Sequence, residues 1–95
     1  MELFGLTSQI RRAAASIPAN IAEGWGREGT REFVQFLRQA QGSLSELDTH
    51  FLLAFRLSLI DSQNSQDIAQ RIEAIAKMLY SLIRSLQRSA ALTKR

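Results

Sequence analysis

Along this chain apolar side chains recur in alternating steps of four and three residues, the spacing that gathers them on one face of an α-helix. The first stripe is Leu6, Ile10, Ala13, Ile17 and Ile21, within a helix predicted from about Thr7 to Glu23. Pro18 falls inside it. Proline has no backbone N–H and its ring crowds the carbonyl four residues back, so a kink is expected near Ala14. Gly24 and Gly26 supply a stop, and Trp25 between them can fold back over the helix end. A second helix opens at Thr30, the expected N-cap, with Glu32 in its first turn. Phe33, Leu37, Ala40, Leu44, Leu47, Phe51 and Ala54 then form a coiled-coil-type line, which Phe36, Leu52, Phe55 and Leu59 widen toward a second neighbour. Gly42 costs about 1 kcal/mol against alanine inside a helix, a cost that a close approach of another helix would explain. The end is expected near Ile60. A polar turn, Asp61 to Ser65, follows, with Asn64 or Ser65 as the next cap. The third helix carries Ile68, Ile72, Ile75, Leu79, Leu82 and Leu86, flanked by Ala69, Ala76, Ile83 and Ala90.

Short connections make consecutive helices antiparallel neighbours. The pattern therefore predicts an all-α, up-down antiparallel helical bundle of three helices, a single domain over residues 1–95. No strand pattern, internal repeat or low-complexity segment competes with it. At 95 residues and 45% hydrophobic the chain can bury a core, but a domain of this size has little stability to spare without partners. It contains no cysteine, which removes disulfides and thiolate metal sites. Neither a secretory leader nor a membrane span is legible, so a cytoplasmic location and no membrane partner are expected.

The net charge of +3 is unevenly spread. Residues 46–73 hold five acids against two bases, whereas residues 74–95 hold five bases (Lys77, Arg84, Arg88, Lys94, Arg95) and no acid. A basic C-terminal helix and tail attract nucleic acid, an anionic surface or an acidic partner. Bases in the last turns of a helix also complement its dipole, which explains the same residues without a ligand.

Catalytic chemistry has little support. His50 is the single histidine, four residues from Glu46, whereas di-iron bundles use Glu-x-x-His twice with two further carboxylates. A surface or interface histidine is the better reading, and no metal, cofactor or catalytic residue is expected. Gly24-Trp25-Gly26 follows a helix rather than a strand, so it reads as a helix stop and not as a phosphate loop. The polar residues near the first helix end read structurally. Glu23 precedes Arg27 by four residues, a favourable ion-pair order. Asn20 borders the apolar stripe and needs partners if buried, which Ser43 or Glu46 of the second helix can provide. Asn20, Glu23, Ser43 and Glu46 are thus a candidate structural network. Arg11, Arg12, Arg27, Arg31 and Arg38, with Arg84 and Arg88, are the candidate nucleic-acid contacts, and symmetry would repeat them as a positive band. Against this, Glu28 and Glu32 can neutralise Arg31, which favours a protein-interaction scaffold.

Several rare features recur in an order that identifies a family. The segment Phe4-Gly5-Leu6-Thr7-Ser8-Gln9-Ile10-Arg11-Arg12-Ala13-Ala14, continuing through Ile17-Pro18-Ala19-Asn20-Ile21-Ala22-Glu23-Gly24, resembles the four-helix bundle family of 23S rRNA-intervening-sequence proteins. Glu32-Phe33, Phe36-Leu37, Gly42-Ser43-Leu44 and Glu46-Leu47 match that family in the next helix. The resemblance also reaches the accessory proteins of diversity-generating retroelements, which form basic pentameric barrels engaging reverse transcriptase and nucleic acid. It implies a homo-oligomer, a pentamer foremost, that binds RNA or DNA. Members of the family have four helices, and this chain begins where the loop after their first helix would lie. An upstream start, a three-helix remnant, or a helix supplied by a neighbour are the alternatives. A protein partner filling the groove of the missing helix is accordingly expected.

Overall fold

The computed structural model describes residues 3–93, with side chains described from Gly5 to Leu92; the tail bases Lys94 and Arg95 lie outside the described residues. Three helices account for almost all of it: α1 (Leu3–Trp25), α2 (Thr30–Arg56) and α3 (Ser62–Thr93). The fold is an all-α helical bundle, as the periodicity predicts. Its α2 is central. Both α1 and α3 pack along it, yet no Cα of α1 comes within 8 Å of α3 among the described residues. The chain is accordingly flat, 54 × 22 × 13 Å, and its thickness is little more than one helix diameter.

The core follows the predicted stripes. Leu37 and Ala40 of α2 are fully buried, and Ala13, Ile17, Leu44, Leu79 and Ile83 are nearly so. Burying a side chain of Leu or Ile size contributes about 1.5–3 kcal/mol, so this line carries the association of all three helices. In α3 the order differs from expectation. Ile83, expected on the flank, is in the core, while Leu82 remains 38% exposed. Val34, absent from the expected line, is also buried against it. Ile10, Ile21, Ile72, Ile75 and Leu86 are only half-covered, consistent with an α1–α3 face that no helix closes among the described residues.

The helix ends depart from expectation in instructive ways. Helix α1 runs unbroken through Pro18 and ends at Trp25, between the two glycines expected to stop it. Gly29, not Thr30, is the N-cap of α2, with extended backbone at φ −105° and ψ 144° and no side-chain cap. Helix α2 ends at Arg56, before Ile60. There the Leu59 N–H donates to the Ala54 carbonyl at 2.9 Å and the Ser58 N–H to Phe55 at 3.0 Å, with Ser58 at φ 61°. That pattern is a Schellman stop with serine in the place usually taken by glycine. Asp61 rather than Asn64 or Ser65 caps α3, its Oδ1 accepting from the Asn64 N–H at 2.7 Å. A carboxylate there satisfies one orphan donor and faces the positive end of the helix dipole.

Candidate nucleic-acid interface

The segment Glu23-Gly24-Trp25-Gly26-Arg27 closes α1 onto the first turns of α2. Gly24 is buried, and a β-carbon on it would meet Phe36 Cβ at 2.7 Å and Phe33 Cδ1 at 2.9 Å. The Trp25 ring meets Phe33 edge-on, centroids 5.8 Å apart at 71°. Arg27 donates to Glu23 at 2.8 Å and places its guanidinium 5.0 Å from the Phe36 ring centroid. Every residue of the segment except Gly26 thus grips α2 or braces a residue that does. The close helix approach expected at Gly42 occurs at Gly24 instead, since nothing lies within 4 Å of a β-carbon at Gly42. The chemistry here is packing.

The polar network is smaller than expected and has a different centre. Asn20 Nδ2 donates to the Ser16 carbonyl at 2.9 Å and the Ser16 hydroxyl at 3.0 Å. Ser16 Oγ in turn shares a 2.7 Å hydrogen bond with Ser43 Oγ. Ser16 is therefore the hub, and sequence spacing could have found it, because it lies one turn before Asn20 on the same face. Glu46 is exposed and makes no hydrogen bond or ion pair among the described residues, and Glu23 serves Arg27 on the surface. His50 lies half-buried in α2, its Nε2 buried and without a hydrogen-bond partner.

The candidate arginines divide by what holds them. Arg27 is committed to Glu23 and Phe36, while Arg84 donates to the Tyr80 hydroxyl at 2.8 Å and lies 5.6 Å from that ring's centroid. Arg11, Arg12, Arg31, Arg38 and Arg88 are all exposed. None of these five has a carboxylate within 4.0 Å among the described residues. Glu28 and Glu32 therefore do not neutralise Arg31 by direct contact, contrary to their sequence proximity.

Arg31 and Arg38 also border a cleft of about 500 Å³ between the start of α2 and the end of α3. Val34, Ala90 and Ala91 give it an apolar floor, and Gln35 and Gln87 bring amides to it. The cleft exists because α3 carries alanines here, where Leu79, Ile83 and Leu86 fill the space against α2 farther back. The i, i+4 and i, i+7 spacing of Arg31, Gln35 and Arg38 shows a shared face in the sequence. Only the helix pairing brings Gln87 to it.

Comparison with known proteins agrees with this fold. The sequence model of a family described as 23S rRNA-intervening sequence protein matches residues 1–81, which leaves Arg84 and Arg88 beyond the matched region. A crystal structure of a protein of unknown function from the S23 ribosomal protein family of Bacteroides thetaiotaomicron superposes with a TM-score of 0.81 at 29% identity, covering 84% of this chain and 74% of that one. No curated protein sequence matches.

Proposed function

The chain belongs to the 23S rRNA-intervening sequence protein family, and from that premise we propose that it is a non-enzymatic, homo-oligomeric cytoplasmic module that holds RNA or DNA through its phosphates. The observation that carries this reading is that Arg11, Arg12, Arg31, Arg38 and Arg88, like Arg56, are exposed with neither a carboxylate nor an aromatic ring against them among the described residues. Arg27 and Arg84, by contrast, are laid over aromatic rings. Unpaired guanidiniums offer forked donors that fit phosphate oxygens, and cyclic symmetry multiplies them into a band. A pentamer is the proposed assembly. Its subunit contacts would cover the half-exposed Ile10, Ile21, Ile72 and Ile75 that the open α1–α3 face leaves in water.

The test combines light scattering with fluorescence anisotropy at two salt concentrations. Phosphate contact requires log affinity to fall with log salt by roughly 0.7–0.9 per phosphate neutralised. A second reading, a protein-interaction scaffold, is favoured by the exposed Leu52, Leu53, Phe55, Leu57 and Leu59 at the far end of α2. Exposed apolar groups concentrated in this way mark a docking surface. An oligomeric sample that binds no nucleic acid at low salt would leave the scaffold as the function.

A further inference from the structure

We infer that the α2–α3 cleft bounded by Arg31 and Arg38 receives a single unstacked base of single-stranded nucleic acid. This rests on the phosphate-binding reading above and assigns that reading a strandedness and a site. A surface that merely attracts polyanions needs exposed cations and no concavity. This one has both. Arg31 and Arg38 are seven residues apart on α2, about 10 Å along the axis at ~1.5 Å per residue, and each borders the cleft from its own end. That separation, with two long side chains, lets the pair hold the sugar-phosphate backbone on both sides of one nucleotide. Between them Val34, Ala90 and Ala91 supply apolar groups for a ring face to lie on, and Gln35 and Gln87 line the cleft from the two helices.

An amide side chain offers a donor and an acceptor together, the pairing that base edges display. The space, about 500 Å³ and open to solvent, is ample for a base together with its sugar. A base within an intact duplex has its faces stacked and cannot enter; a single strand presents them freely. Electrostatics alone ranks the ligands the other way, since a duplex carries the denser charge and the steeper salt response. Preference for the single strand is therefore the property that separates the cleft from a general basic surface.

The experiment is an anisotropy titration of the oligomeric protein with three fluorescein-labelled probes: a short RNA strand of mixed, non-self-complementary sequence, the same strand annealed to its complement, and the DNA strand of that sequence. Wild-type protein should bind a single strand about tenfold more tightly than the duplex, the weight of one base-edge or stacking contact. The tighter of the two strands identifies the sugar of the natural ligand. Gln35→Ala with Gln87→Ala should erase the preference and leave the salt slope unchanged. Arg31→Gln with Arg38→Gln should lower the slope by roughly 0.7 for each phosphate of the single strand that is no longer neutralised. All four side chains are exposed, so circular dichroism should show the helical fold intact. A duplex bound as tightly as the strands, or a preference that survives the glutamine variant, overturns the cleft while the phosphate reading stands. Absence of binding to every probe at low salt overturns both.

Discussion

Gly24 is packed so closely on Phe36 that a β-carbon at position 24 would come within 2.7 Å of the phenylalanine's own Cβ. Phe36 Cβ is fixed to the α2 backbone and cannot swing aside, so the contact sets how near the end of α1 can come to α2. Replacing Gly24 by alanine gains up to about 1 kcal/mol of helix propensity. It also forces the helices apart, at about 1–3 kcal/mol for a well-packed site. The expected net effect of Gly24→Ala is a loss of about 1–2 kcal/mol, read as a lower urea midpoint. Gly26→Ala is the control, because its β-carbon would meet only carbonyl oxygens at 3.6 and 3.8 Å.

Gly42 gives the opposite expectation. It lies inside α2, exposed, with open space around its missing side chain. Gly42→Ala should stabilise the helix by up to about 1 kcal/mol, with an unchanged urea m value. Light scattering on the same variant then tells whether the glycine is kept for a contact between copies. A stabler protomer with a weaker oligomer places Gly42 at that contact.

The Ser16 hub predicts coupling rather than a large single loss. Asn20→Ala removes both bonds to Ser16, and Ser43→Ala removes the bridge from α1 to α2. Each should cost about 0.5–1.5 kcal/mol, the usual net worth of a hydrogen bond. Because both act through one hydroxyl, the double variant should depart from additivity, measurable as a non-zero interaction energy in a thermal-unfolding cycle. Glu46→Ala, at an exposed side chain without an ion pair or hydrogen bond among the described residues, should change stability by less than about 0.5 kcal/mol.

What was legible in the sequence was the set of faces, and what was not was the choice between neighbours. The stripe Leu6 to Ile21 and the line Leu37 to Ala54 are where periodicity puts them. Leu82 and Ile83 are about 100° apart around the helix and straddle the Leu79–Leu86 line, so spacing cannot say which one faces α2. Packing selects Ile83. The same ambiguity applied to the glycines. Gly24 reads as a helix stop and Gly42 as the point of close approach, but which one meets another helix depends on where α1 ends, a tertiary fact. Among the candidate residues, the i, i+4 order of Glu23 and Arg27 shows in the sequence that this arginine is paired, as it is here. Tyr80 and Arg84 share that i, i+4 spacing, whereas the contact of Arg27 with Phe36 of α2 is a tertiary fact that no spacing rule gives.

The turn that aligns α3 on α2 combines a strained residue with a stabilising cap. Ser58 sits at φ 61°, where the β-carbon of an L-residue crowds the backbone at a cost of about 1–2 kcal/mol. Three residues on, Asp61 caps α3 through its carboxylate. The two features act in opposite directions on one connection. Ser58→Gly removes the crowding while keeping the Leu59-to-Ala54 bond that ends α2; part of the gain is offset by the greater freedom of glycine in the unfolded chain. It should therefore raise stability by up to about 1 kcal/mol. Asp61→Ala leaves the Asn64 N–H without its acceptor and should cost about 0.5–2 kcal/mol. For a domain of this size each kcal/mol moves Tm by about 4–8 °C, so both shifts lie within reach of a circular-dichroism melt. Since no Cα of α3 comes within 8 Å of α1 among the described residues, α3 is held by α2 and by this turn, and loosening the turn weakens that hold. Asp61→Ala should accordingly expose the α3 amides to hydrogen exchange before those of α1. Equal exchange in both helices would mean that the chain unfolds as one unit despite its open shape.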